Sequence, residues 1–360
     1  MVNILRRWAS LYFAEEEAMV FLLLLLISGL CIWLFGAILT PVIAAVIIAY
    51  MLQGLVNLLT DRGAPHLLAV SLAVVFFIGI SLALILVLMP LVWSQLTSFI
   101  GEVPRYSTEL QSYAVAMSHD YPNILSSAQL DEWFGIAKGE IGQVGQLLLS
   151  LGVSSIPGVI TILIYCVVVP MMVFFFLKDK DYFIGYLTSL LPKKRRMLTE
   201  VGEEMNEQIA NYIRGKAIEI LIVGGTTYIG FVFMGLQYSA LLALVVGLSV
   251  LIPYVGAIVV TIPVAAVGLI QFGTGSEFIT VMVIFLVIQG LDGNILVPLL
   301  FSEAVNLHPV VIIIAVIFFG GLWGFWGIFF AIPLATLIKA IMTAWPKVAS
   351  HQDGVPEMID

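Results

Sequence analysis

The sequence predicts an all-α polytopic membrane protein, with some membrane segments broken or re-entrant. Three observations carry that reading. Hydrophobic residues make up 61% of the chain and charged ones 11%, about half the charge of a soluble domain. Mean hydropathy is +1.11. Two uncharged runs, 43 residues over Ala18–Thr60 and 57 over Ile220–Ser276, each exceed the ~20 apolar residues that cross a bilayer. A soluble chain of 360 residues would form two or three domains. This composition gives instead a bundle of spans with two polar insertions.

Residues 1–97 read as three membrane segments. Arg6, Arg7 and Glu15-Glu16-Glu17 precede an apolar run far longer than the ~7–15 residues of a cleavable signal, so the start reads as a retained anchor. Thr40-Pro41 is the expected break between the first two spans, because proline disrupts a helix interior. A polar link, Asp61–His66, leads to a third span from Leu67 to about Trp93. Residues 98–151 form an extracytoplasmic insertion with helices expected around Arg105–Met117 and Leu130–Leu149. It holds six acids (Glu102, Glu109, Asp120, Asp131, Glu132, Glu140) against Arg105 and Lys138.

Segment four covers 152–177. The loop 178–216 carries eight of the chain's 15 Lys and Arg, which places it in the cytoplasm by the positive-inside rule. Interspersed acids argue against nucleic acid. Glu200, Glu203, Glu204, Glu207, Asn211 and Arg214 recur at steps of three or four, with Val201, Met205, Ile209 and Tyr212 opposite. That pattern predicts an amphipathic helix on the membrane surface or against the bundle.

The last membrane region, 217–345, has a first turn at Gly235-Leu236-Gln237-Tyr238 and broken helices at 252–256 and 289–298. Ser239–Phe272 is either one tilted, broken helix or a re-entrant hairpin. Phe278–Ile288 spans only if it continues through the polar stretch beyond it. A final span starts near Pro309 and carries Gly320, Gly321, Gly324, Gly327 and Pro333. Lys339 and Lys347 place the tail, 346–360, with the N-terminus in the cytoplasm. About eight membrane segments result, and the eight-span and two-hairpin readings put both termini on one side. Cys31 and Cys166 sit in apolar runs, so no disulfide framework or metal cluster is indicated.

Polar, irregular backbone between apolar runs survives where protein buries it or where it lines a water-filled cavity. Gln289-Gly290-Leu291-Asp292-Gly293-Asn294 and Pro298 form the main such stretch. Asp292, costing about 2.5–3.5 kcal/mol in an apolar region, should face a pathway or a partner, and can bind a cation or carry a proton. Gln289 and Asn294 can hold a polar solute. The plain alternative is a surface turn allowed by Gly290 and Gly293. Pro253, Tyr254 and Gly256 would free backbone groups near mid-membrane, as in transporters with discontinuous helices, or merely kink a helix. Glu219 is a proton-carrier candidate, although a local pair with Lys216 explains it equally. Glu303 and His308 complete the candidates, the histidine alternatively capping the helix that begins at Pro309. The glycines at 320, 321, 324 and 327 suit close helix packing or subunit contact.

The series Phe175-Phe176-Leu177-Lys178-Asp179, Asn206-x-Gln208-x-x-x-Tyr212-Ile213-Arg214-Gly215, Ile252-Pro253-Tyr254-Val255-Gly256, Asp292-Gly293-Asn294-x-x-x-Pro298, Leu307-His308-Pro309 and Gly320-Gly321-x-x-Gly324-x-x-Gly327 resembles the autoinducer-2 exporter (AI-2E) family. Leu291–Pro333 is most similar to its PerM-type permease branch. The resemblance covers nearly the whole chain and departs from many members at Ala257, where they carry proline. It implies an inner-membrane protein of about eight segments, while family cargoes range from a furanone to sodium and protons.

The leading functional expectation is an inner-membrane secondary transporter, an exporter of small polar or amphiphilic molecules driven by protons or sodium. It would act in the lipid bilayer as a homo-oligomer, without cofactor, metal or nucleic acid. A channel-like oligomeric pore and a scaffold acting through residues 98–151 are the alternatives. The absence of GxxxxGK[ST], HExxH and GxSxG argues against P-loop ATP binding and against an enzyme.

Overall fold

A computed structural model describes residues 16–120, 156–191, 195–301 and 307–344, with 135 and 139 besides. Among them every regular element is helical. The helices are α1 (Glu16–Asp61), α2 (His66–Ala83), α3 (Met89–Asp120), α4 (Ile156–Lys178) and α5 (Lys180–Ser189). There follow α6 (Arg196–Phe233), α7 (Ser239–Ser249), α8 (Val255–Phe272) and α9 (Ser276–Leu291). The last are α10 (Val297–Phe301), α11 (Pro309–Trp323), α12 (Phe325–Phe329) and α13 (Ala331–Ala344). Single π-helical turns join α2 to α3 (Leu84–Leu88) and α9 to α10 (Asp292–Leu296).

Among the described residues, five stretches are long and apolar enough to cross a bilayer: Ile38–Asp61, His66–Ser112, Leu198–Phe233, Val255–Phe272 and Ser276–Phe301. Shorter apolar helices accompany them. Large side chains such as Leu86, Val87, Phe233 and Ile317 are exposed, which is an aggregation hazard in water and ordinary contact in lipid. The chain is a multi-pass membrane protein.

Two compact units divide the chain, one of Met1–Thr40, Lys180–Ala210 and Leu307–Asp360, the other of Pro41–Asp179 and Asn211–Asn306. In the first, Phe21, Val201, Met205 and Ala340 form a buried cluster. Val201 and Met205 are the apolar face expected of the 200–214 stretch, but this stretch is no separate surface helix. It continues into the apolar part of α6 without a break.

The same unit replaces the single final span with a helical fold-back. Ala315 of α11 packs with Ala331 and Ala335 of α13, while a Cβ on Gly320 would lie 2.9 Å from Ile328 and one on Gly327 only 1.8 Å from the Phe319 carbonyl. The chain reverses at Gly324, where φ is +58°, a value glycine adopts without penalty. Gly324-x-x-Gly327 therefore builds a corner, a local signal that reads in sequence like a helix–helix seam.

In the second unit one core joins Val223 and Phe231 of α6, Leu242 and Val246 of α7, Val260, Val264 and Val267 of α8, and Val281 and Phe285 of α9. Another joins Ala45, Leu52 and Val56 of α1 with Val70 and Ala73 of α2 and Val173 and Leu177 of α4. Three expectations change here. The helix does not break at Pro41; α1 runs through it, since membrane helices accommodate proline by local adjustment. α3 continues past Trp93 to Asp120, so the start of the insertion extends the third span. The expected helix at Leu130–Leu149 and the tail 346–360 lie outside the described residues.

The third change settles the choice over Ser239–Phe272. Gln271, at the end of α8, receives the Gln237 N–H at 2.7 Å and donates to the Gly235 carbonyl at 2.8 Å. The far end of α8 has thus returned to the start of α7. The two form a hairpin whose first arm, 11 residues, reaches only about 16 Å, half the ~30 Å hydrocarbon layer.

Candidate functional site

The polar stretch 289–298 remains helical. Pro298 has no N–H, and its ring would clash with the carbonyl four residues before it. The π turn takes up that mismatch, with the Val297 N–H reaching the Asp292 carbonyl. Pro90 sits in the same position after the turn Leu84–Leu88. A break was expected here; the outcome is a widened turn, after which the five residues Val297–Phe301 are again α-helical. Asn294 donates from Nδ2 to the Gly290 carbonyl at 2.8 Å. Gln289 Nε2 and Asp292 Oδ1 are buried atoms with no hydrogen-bond partner.

α6 runs antiparallel to the helix Ser276–Phe301. A Cβ on Gly215 would lie 2.6 Å from the Phe301 ring, and one on Gly230 would lie 2.9 Å from Ile284. Between these contacts α6 presents Lys216, Glu219, Val223 and Thr227 at helical spacing. Lys216 and Glu219 are 4% and 2% exposed, and Lys216 Nζ lies 2.8 Å from Glu219 Oε2. The pair expected from their spacing exists, but it is not solely local. Lys216 Nζ also donates to the Val250 carbonyl at 2.8 Å and lies 5.3 Å from the centre of the Phe301 ring. Asp292 is within electrostatic reach of both Lys216 and Glu219.

The Val250 carbonyl is available because α7 stops there. Pro253, Tyr254 and Val255 form a tight γ-turn: Tyr254 has φ 63° and ψ −50°, and the Val255 N–H meets the Pro253 carbonyl at 2.7 Å. This is a strained conformation for a residue with a Cβ. Gly256 lets the turn close, since a Cβ there would fall 1.9 Å from the Ser249 carbonyl oxygen. The 252–256 break is therefore real, and its freed carbonyl end points at the lysine.

The other candidates fall elsewhere. His308 caps α11, its Nδ1 accepting from the Val310 N–H at 3.3 Å, with Pro309 in the first turn. Gly320, Gly321, Gly324, Gly327 and Pro333 belong to the α11–α13 fold-back. Glu303 lies outside the described residues. The 206–215 motif divides: Asn206 and Gln208 lie in the first unit, whereas Tyr212 and Gly215 seat Phe301, the Tyr212 and Phe301 rings lying 5.9 Å apart. Arg214 is exposed, near Gly54.

Sequence reasoning missed three contributors. Lys216 was set aside as a local partner, because its tertiary contacts 34 residues away leave no trace in spacing. Phe301 was hidden in an apolar run. Thr227, fully buried with an unpartnered hydroxyl, carried the weak signal of one polar residue on a buried helical face.

A buried ion pair, a half-helix end and an unpartnered carboxylate on a π turn make an arrangement suited to binding and moving charge within a membrane. The AI-2E family transporter pattern matches residues 22–347. The chain belongs to the AI-2E transporter family. It is 44% identical to "Putative permease PerM" of Escherichia coli strain K12 over 96% of this chain and 98% of that protein. It is 27% identical to "Putative transport protein YueF" of Bacillus subtilis, covering 83% and 82% of the two chains. A Mycobacterium tuberculosis "Putative transport protein MT0215" is 28% identical over 91% of this chain and 86% of its own. These AI-2E relatives carry transport and permease names, consistent with a protein that is not an enzyme.

Proposed function

We propose that this AI-2E protein is an inner-membrane secondary transporter exporting small polar or amphiphilic molecules, driven by an ion gradient, with both termini in the cytoplasm. Asp292 lies on the path, and Glu219 and Lys216 set the charge around it. The observation that carries this reading is the buried Asp292 Oδ1, unpartnered beside the buried Lys216–Glu219 pair. Asp292 as a whole is half-buried, yet this oxygen is held from water without a hydrogen bond, and leaving a buried acceptor unmet is costly in a purely structural core. Gln289 on α9 and Thr227 on α6 each leave a buried polar atom open as well.

The test is flux in proteoliposomes under an imposed pH or sodium gradient, offered a panel of small polar solutes, with wild type beside Asp292→Asn. Saturable flux that falls at least about tenfold in the variant, equivalent to ~1.4 kcal/mol, supports the reading. Equal flux in both proteins removes Asp292 from the path. Linear, non-saturating flux would favour a pore.

A further inference from the structure

Lys216 has the surroundings of a bound ion. Its Nζ meets a main-chain carbonyl, Val250 O, at 2.8 Å and a carboxylate, Glu219 Oε2, at 2.8 Å. The face of Phe301 covers it at 5.3 Å, and a cation over an aromatic ring is attracted by the ring's quadrupole. The carbonyl belongs to the C-terminal end of α7, where the helix dipole is negative. In transporters with discontinuous helices, carbonyls at such ends coordinate the coupling sodium or proton. Gly215 is shaped to admit the covering ring, since any Cβ there would lie 2.6 Å from it. The Tyr212 ring packs against it with centroids 5.9 Å apart. The donor set, the lid and the half-helix end are those of a small-cation site, and an ammonium group of the protein's own occupies it.

We propose that Lys216 is a tethered cation: its ammonium fills a monovalent-cation seat built from the Val250 carbonyl, the Glu219 carboxylate and the Phe301 ring, so that no sodium ion is needed there. The proposal deepens the transport reading, on which its meaning for coupling rests, although the seat itself is a binding property. The charged and titratable groups around it are Glu219 and Tyr212 on α6 and Asp292 on the π turn. With both carboxylates ionised, Lys216 leaves the cluster one negative charge. Without Lys216 there are two, facing an emptied seat of about the size of an ammonium or potassium ion. That vacancy should draw in a free cation.

The experiment follows thermal unfolding of the purified full-length protein by tryptophan fluorescence, for wild type, Lys216→Ala and Lys216→Gln. Lithium, sodium, potassium, ammonium or methylammonium chloride is titrated while choline chloride holds ionic strength constant. The Lys216→Ala midpoint should rise saturably, by about 5 °C or more, with at least one small cation, because a ligand that binds only the folded state stabilises it. Wild type and the double variant Lys216→Ala/Glu219→Ala should lack this added shift. Lys216→Gln keeps a donor for Val250 and should respond more weakly. Should neither single variant fold in choline, recovery of folded protein when purified in ammonium or potassium chloride supports the seat, and recovery in no salt overturns it. A flat response of foldable variants to every cation also overturns it, as does a response of Lys216→Ala no larger than that of wild type to the same cation. No transported solute enters this measurement, so it can succeed where the flux assay fails, and the reverse.

Discussion

Two interruptions in the second unit solve the same problem in opposite ways. At Val250–Tyr254 the helix stops, turns through a strained γ-turn and starts again as α8. At Asp292–Leu296 it stays helical and only widens. Both sit beside a proline, so proline alone does not decide the outcome. The difference lies in what receives the freed backbone. Val250 O is taken by a buried ammonium, and Gly256 allows two helix ends to meet at van der Waals limits, so a full break is stable. Around Pro298 no such partner is brought up, and the freed carbonyls are absorbed by i→i+5 bonding and by the Asn294 amide. One site thus depends on tertiary contacts, the other is locally self-sufficient.

That contrast yields graded expectations. Gly256→Ala should be the most damaging, because the new methyl meets backbone at 1.9 Å and neither partner is a movable side chain; destabilisation of at least about 3 kcal/mol is expected, measured as the detergent unfolding midpoint. Lys216→Ala should follow at about 3 kcal/mol or slightly more, the cost of leaving a buried carboxylate unpaired. Replacing both Lys216 and Glu219 with leucine should recover most of that loss. A double variant as unstable as Lys216→Ala would show that the carbonyl contact, not the ion pair, dominates.

Smaller effects test the γ-turn and the π turn. Tyr254→Gly should stabilise by about 1 kcal/mol, since glycine accepts this positive φ without strain. Gly290→Ala has open space around its Cβ and an ordinary helical backbone, so stability should hold or rise by up to ~1 kcal/mol. A large loss there would mean that the π turn is not self-sufficient. Pro298→Ala sharpens the point: the turn loses its cause, the helix can regularise, and Asp292 would shift around its axis. Flux should fall while the unfolding midpoint stays level or rises.

The legible part of the structure follows from local chemistry. The apolar runs declare the helices, and Pro253 with Gly256 declares the α7–α8 break, because proline and a required close approach act within five residues. Asp292 stood out since a carboxylate in such a run needs a reason. The choice of a hairpin over one tilted, broken helix for α7 and α8 was not legible: it is fixed by Gln271 reaching Gly235 and Gln237 across the fold. The π turn was misread as a break because Gly290, Gly293 and Pro298 give the same signal for both. Lys216 was undervalued because spacing exposes Glu219 three residues on and hides Val250 and Phe301. His308 and the Gly320–Gly327 series read as candidates for function or assembly, and the structure uses them for a cap and a corner.

The central claim is that Asp292 lies on a water-accessible path beside the Lys216–Glu219 pair. Its most direct test is Asp292→Cys in a background with Cys31 and Cys166 replaced by serine, treated in intact membranes with a small, charged thiol reagent. The account predicts labelling of the folded protein, with a neighbouring lipid-facing control such as Leu299→Cys left unlabelled. Labelling of Asp292→Cys only after denaturation would contradict it and leave Asp292 as a buried structural residue.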